Sequence, residues 1–307
     1  MIRLDGICKS FGLRQVLDNV SFEVPGGQVT GFVGGNGAGK TTTMRIILGL
    51  LNANAGTVFL GDQPMTAALA SRVGYMPEER GLYPKMKVAE QLVYLARLHG
   101  LDKAKATNRT GQLLERLGLA ARANSKVEEL SLGNQQRAQI AAALVQDPDV
   151  LILDEPFSGL DPMAVDTVMA VLRDSAAGGV PILFSSHQLD VVERITDNLV
   201  IIAAGQIKAA GPTAQLQQAY AGQRYWLQAN GDLAWLASQP GVGKVEAGGP
   251  DKLYFEAEAP AAQAVLQQAL TQGPVAGFGR HLPSLADVFR EVIQDHLPDT
   301  GTGEVAP

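Results

Sequence analysis

A chain of 307 residues has room for two domains of average size. Its 46% hydrophobic and 18% charged residues mark a globular protein rather than a disordered or fibrous one. The formal net charge of −6 argues against electrostatic nucleic-acid binding, and no apolar run approaches the ~18 residues of a transmembrane helix.

The start, Met1-Ile2-Arg3-Leu4-Asp5, lacks a signal-peptide core. The single cysteine, Cys8, excludes an intrachain disulfide and suits a reducing compartment. Residues 3–8 and 16–24 are predicted as strands, separated from the next by the turn Pro25-Gly26-Gly27. Residues 28–33 form a strand that runs into a glycine-rich loop. The spacing of Met44, Ile47, Leu48 and Leu51 then predicts a helix over 40–51. From about residue 86 to 118 the pattern becomes helical and amphipathic, with Val88, Leu92, Leu95 and Leu98 on one face. A helix is expected over 135–145, a buried strand over 149–153, a helix over 163–177, a strand over 180–184 and a helix over 189–196. Strands alternating with helices predict a parallel sheet covered on both faces.

Near residue 220 the texture changes. Strands are expected over 225–228, 242–247, 253–257 and 275–278, with helices over 233–238, 261–271 and 285–293. That is a βαββαβ-like order, the pattern of a small α+β sandwich. Charge divides at the same place: residues 1–220 carry 20 basic and 21 acidic side chains, and residues 221–307 carry 5 and 10. The expected domains are therefore 1–220, with a helical subdomain at about 84–146, and 221–296. The Gly, Pro, Thr and acidic composition of 297–307 predicts a disordered tail.

Gly34-Gly35-Asn36-Gly37-Ala38-Gly39-Lys40-Thr41 fits G-x-x-x-x-G-K-[ST] between a strand and a helix. Glycines let backbone N–H groups converge on an anion, and the helix start adds partial positive charge. Gly34, Asn36, Gly37, Gly39, Lys40, Thr41 and the following Thr42 are thus candidates to hold the phosphates of ATP. Lys40 offers a point charge, and the Thr41 hydroxyl a hard oxygen for Mg²⁺. The apolar run Val150-Leu151-Ile152-Leu153 ends in Asp154-Glu155, at the carboxyl end of a buried strand, where open α/β sheets bind ligands. Asp154 is a candidate to hold Mg²⁺, and Glu155 to act as general base toward the attacking water. Without the phosphate loop, such a pair would read as a solvated turn.

Leu130-Ser131-Leu132-Gly133-Asn134 lies upstream of these carboxylates and resembles the Leu-Ser-Gly-Gly-Gln signature of ATP-binding cassette (ABC) proteins, with Leu132 and Asn134 as departures. The resemblance implies that Ser131 and Gly133 cap the γ-phosphate of ATP bound to a second subunit. On the residues alone, Ser131 or Asn134 could simply cap the next helix. Other cassette elements follow in their usual order. Phe11 resembles the aromatic that stacks on adenine, or else is a half-buried strand-end residue. Asp161, in Ser158-Gly159-Leu160-Asp161, resembles the loop that crosses to the opposite subunit, and before Pro162 it is also a good helix cap. His187 resembles the switch histidine that contacts the γ-phosphate. Glu78 stands where many cassettes carry a metal-binding glutamine. It could ligate Mg²⁺ or pair with Arg80, or belong to an exposed charged loop. His99, His281 and His296 are expected at the surface or in packing.

The resemblance covers about residues 1–220 and implies an α/β P-loop NTPase fold with an antiparallel β subdomain and a helical subdomain. It further implies a cytoplasmic, transport-coupled ATPase using ATP and Mg²⁺. It would work as a head-to-tail dimer with a second copy of itself and be held peripherally at the membrane by a separately encoded exporter-type permease. Docking of that permease is expected at the helical insertion, with Tyr83 and Pro84 as contacts. No nucleic-acid partner is expected. The competing reading is a cassette ATPase without a transport role, acting in regulation, resistance or translation.

Overall fold

The computed structural model describes every residue except Arg80, Asp232, Pro250 and 295–307. The tail at 297–307, His296 and any pairing of Glu78 with Arg80 lie outside the described residues. In chain order the elements are β1 (Ile2–Phe11), β2 (Arg14–Val24), β3 (Val29–Val33), α1 (Lys40–Ile47), β4 (Ala55–Leu60), β5 (Gln63–Pro64), α2 (Ala67–Ala70) and β6 (Val73–Met76). They continue with α3 (Val88–Leu98), α4 (Lys103–Arg116), α5 (Leu132–Leu144), β7 (Val150–Asp154), α6 (Pro162–Ala177), β8 (Ile182–Ser185), α7 (Leu189–Ile195), β9 (Asn198–Ala203) and β10 (Gln206–Pro212). Last come α8 (Thr213–Ala219), β11 (Arg224–Ala229), β12 (Val242–Ala247), β13 (Lys252–Ala257), α9 (Ala259–Gln272), β14 (Val275–Arg280) and α10 (Leu285–Gln294).

Two sheets build the first unit. An antiparallel sheet has the order β2-β1-β4-β5, and a six-stranded sheet the order β10-β9-β3-β8-β7-β6. In the larger sheet β9, β3, β8, β7 and β6 run parallel, and only the edge strand β10 is antiparallel. Every residue of β3, β7 and β8 is buried. Burial of alternating side chains on both faces is what a parallel sheet covered by helices requires. The antiparallel sheet meets the larger one through a shared core. Leu4, Leu17 and Phe22 pack with Phe32, Met44, Ile47 and Ile152, and each large apolar side chain so buried contributes roughly 1.5–3 kcal/mol. This core fixes α1 beneath the glycine loop.

The predicted helix over 40–51 ends earlier, at Ile47. Gly49 takes φ 67°, a left-handed stop that halts the helix while Leu48 and Leu51 still pack on the core. Conversely, the helix predicted over 135–145 begins three residues earlier, because Ser131 caps it and accepts from Asn134 N–H at 3.4 Å. The helical insertion consists of α3 and α4, followed by single 3₁₀ turns at Ala120–Arg122 and Val127–Glu129. Asp102 caps α4 through Lys105 N–H at 2.9 Å. Among the described residues no helix is long and apolar enough to cross a membrane.

The backbone divides into two compact units, Ala214–Glu291 and the remainder. In the smaller unit the sheet order is β12-β13-β11-β14, antiparallel throughout. Among its own four strands that is second, third, first, fourth, the order of a ferredoxin-like βαββαβ sandwich. The first connecting helix is a 3₁₀ segment, Ala234–Ser238. Tyr225 stacks on Phe255 and on Phe278, each at 5.9 Å, in a core closed by Ala262, Val265 and Ala269 of α9.

Candidate functional site

The glycine loop connects β3 to α1, and at its two ends, Gly34 and Gly39, nothing larger fits. A Cβ on Gly34 would lie 2.4 Å from Ile202 O, and Gly39 takes φ 110° with Leu17 closing the space beside it. Gly39 is also the N-cap of α1, and no side chain caps that helix. The first-turn N–H groups therefore remain available to an anion. Lys40 Nζ donates to Gly34 O at 2.7 Å and Gly35 O at 3.3 Å, which holds the ammonium over the loop.

A cavity of about 460 Å³ opens beside this loop. It is lined by Asn36, Gly37, Gly39, Lys40, Thr41 and Thr42, together with Glu78, just past β6, and Asp154 and Glu155 at and just past the end of β7. Arg14 of β2 also contributes; it pairs in register with Phe11, the exposed last residue of β1, whose ring lies 5.2 Å from Lys9 Nζ.

The carboxylates at the end of β7 are differently held. Asp154 is 1% exposed, and both its oxygens accept hydrogen bonds, from Thr41 Oγ1 at 2.9 Å and Ser185 Oγ at 2.5 Å. Glu155 takes φ 53°, a left-handed conformation that costs a non-glycine residue about 1–3 kcal/mol. Its N–H donates to Ser185 Oγ at 2.9 Å, and its carbonyl accepts from Gln136 Nε2 at 2.9 Å. Its side chain meets His187, with Nδ1 2.9 Å from Oε2. A carboxylate oxygen accepting this bond makes Nδ1 the donor, which leaves Nε2 for a second partner.

The donor set suits Mg²⁺. Among the described residues no group of three or more His, Cys, Asp or Glu side chains could hold a metal. A hydroxyl and a carboxylate, Thr41 and Asp154, stand together at the cavity instead, with Glu78 also on its lining. One or two protein oxygens, completed by phosphate oxygens and water, is the usual binding mode of Mg²⁺. Nearby, burial and the charge of Asp154 push the Tyr75 phenol up.

Ser131, Gly133 and Asp161 stand apart from this cavity lining. Ser131 caps α5, and Asp161 caps α6 through Ala164 N–H at 2.8 Å, so the capping role open to each in the sequence is realised. The two loops adjoin: a Cβ on Gly133 would lie 3.3 Å from Gly159 O. Leu132, in place of the family's glycine, is 58% exposed. Tyr83 is exposed, and Pro84 lines a small cavity with Leu82, Val127 and Gln135. A larger groove of about 810 Å³ runs along α3, where Tyr94 and Leu98 are exposed one turn apart.

Sequence reasoning missed Ser185, Gln136 and Gln139. Gln139 Nε2 donates to Pro77 O and Glu79 O, both at 3.1 Å, bracketing Glu78. The available signal was polar residues at positions that an amphipathic helix or a buried strand would fill with apolar ones.

A family model described as ABC transporter matches residues 17–158. Over 293 residues the chain is 38% identical to the uncharacterized ABC transporter ATP-binding protein YhaQ of Bacillus subtilis, covering 95% of this chain and 98% of that one. The chain belongs to the ABC transporter ATP-binding proteins. It is a P-loop ABC ATPase, as the motif order implied. A second family model, ATP-binding protein DrrA1-3-like, C-terminal domain, matches residues 211–293. The Nod factor export ATP-binding protein I of Paraburkholderia xenovorans is 36% identical over 260 residues, covering 84% of this ABC chain and 79% of that relative. A solved ATP-binding subunit of an ABC transporter superposes with a TM-score of 0.67 at 30% identity, covering 72% of this chain and 93% of that one.

Proposed function

We propose that two copies of this ATPase bind two ATP molecules head to tail and energise a separately encoded exporter-type permease from the cytoplasmic face of the membrane. The observation that carries the dimer is the incompleteness of the cavity. Lys40, Thr41, Asp154 and Glu155 converge on it, while Ser131 and Gly133, at the start of α5, lie outside its lining. A second copy, related by a two-fold axis, would supply these residues to each cavity and receive the same in return. The export assignment draws support from the Nod factor export relative. The exposed Tyr94 and Leu98 beside the α3 groove offer an apolar face for a short permease helix.

In this reading Lys40 and the amides at the start of α1 bind the β- and γ-phosphates, and Phe11 stacks on adenine. Thr41 and Asp154 would hold Mg²⁺, with Glu78 as a further carboxylate, and the ion neutralises charge on the phosphate oxygens when bound. Glu155 takes the proton of the attacking water. His187, bonded to Glu155 through Nδ1, would reach the γ-phosphate through Nε2, which must carry a proton to donate there.

Glu155→Gln tests the assignment. It should still bind ATP, run as a dimer on size exclusion in ATP, and hydrolyse about 10²–10⁴-fold more slowly. Hydrolysis at the parent rate would remove Glu155 as the base, and a monomer in ATP would remove the dimer.

A further inference from the structure

α5 carries two glutamines that are almost fully buried, Gln136 at 7% and Gln139 at 4% exposure. Three residues apart, they share one helical face. Each amide is committed to backbone carbonyls: Gln136 to Glu155, and Gln139 to Pro77 and Glu79. A carbonyl only accepts, so the amide NH₂ is required at both positions and no carboxylate can replace it. The helix that opens at Ser131 is thereby tied to two of the three acidic positions of its own chain's cavity, to Glu155 directly and to Glu78 through its neighbours Pro77 and Glu79.

The bond to Glu155 has particular leverage. Glu155 sits in a left-handed conformation, and its peptide groups are gripped on two sides, the N–H by Ser185 on β8 and the C=O by Gln136 on α5. Ser185 belongs to the sheet and moves with it. Gln136 belongs to the helix that begins at the Ser131–Gly133 loop and moves with that loop. A shift of α5 relative to the sheet must therefore act on the orientation of the Glu155 carboxylate.

We propose that Gln136 is a positioning residue that couples the two nucleotide sites of the dimer. The Ser131 loop engages the nucleotide of the partner copy, and Gln136 passes the resulting setting of α5 to the base of its own copy. Each base is then aligned only when the opposite site is filled, and hydrolysis depends cooperatively on ATP. Gln139 steadies the Glu78 segment from the same helix face. The inference rests on the head-to-tail reading above.

The test is the ATP dependence of hydrolysis by the full-length chain, the parent beside Gln136→Met and Gln136→Asn. Asparagine keeps the amide but is one methylene too short to reach, so it decides the matter if the Met variant fails to fold. The parent should show a Hill coefficient above one. Both variants should lose about tenfold or more in kcat, keep KM for ATP within about twofold, and show a Hill coefficient near one. A purely structural role would lower the active fraction and leave the Hill coefficient unchanged. Folded variants with the parent's kcat and Hill coefficient, or with lower kcat and unchanged cooperativity, overturn the proposal, as does a non-cooperative parent. If Glu155→Gln abolishes turnover in the same assay while the Gln136 variants match the parent, the coupling fails and the ATPase reading stands. A parent without turnover sinks both.

Discussion

The glycine-loop region and the signature-loop region use similar residues in opposite ways. Around the cavity, side chains bond across the fold: Thr41 reaches Asp154, Ser185 reaches Asp154 and Glu155, and Glu155 meets His187. In the signature region the polar groups bond locally. Ser131 and Asp161 each hold an amide three residues on, and neither lines the cavity. One region is assembled within the chain, and the other presents capped helix starts outward. On the head-to-tail proposal, a single chain folds one half of each site and displays the other half.

Substitutions can break that contrast from either side. The largest effect is expected from Lys40→Ala, which removes the charge held over the loop. ATP affinity should fall about ten- to a hundredfold, measured by nucleotide titration of the isolated chain. Unchanged affinity would detach Lys40 from the phosphates. Ser131→Arg should act differently, leaving ATP affinity of the isolated chain within about twofold while ATP-driven dimerisation and turnover drop about tenfold or more. Loss of the cap costs about 1 kcal/mol of stability, to be read in a thermal melt. A fall in the isolated chain's own affinity would place Ser131 in its own site instead. The smallest change in binding is expected from Ser185→Ala. It strands the N–H of Glu155 and one oxygen of Asp154, so stability should drop by about 1–3 kcal/mol with ATP affinity nearly unchanged. A melt equal to the parent's would mean that Ser185 does not hold the pair.

What could be read from the sequence follows from how local each signal is. The glycine loop is contiguous, so Gly34 to Thr42 were legible at once. The apolar run before Asp154 announced a buried strand, and all five residues of β7 are buried. Ser185 and Gln136 escaped because their partners lie 30 and 19 residues away, and only the folded sheet brings them together. Strand β6 escaped because Gly74 interrupts its apolar pattern. A Cβ there would lie 2.2 Å from Ala143 O, so the glycine serves the close approach of α5. The helix over 40–51 was read too long, because Gly49 ends it while the apolar spacing continues. In the Ala214–Glu291 unit the succession of strands and helices along the chain was legible, while the pairing order β12-β13-β11-β14 emerges only in the fold.

The most direct test of two half-sites is complementation by mixing. Lys40→Ala and Ser131→Arg chains are each expected to lack ATP-driven dimerisation alone. In a head-to-tail mixed dimer, one cavity joins the intact Lys40 of one copy to the intact Ser131 of the other. On size exclusion in ATP the mixture should therefore form more dimer than the sum of the separate variants. Dimer no greater than that sum would contradict a site shared between two copies.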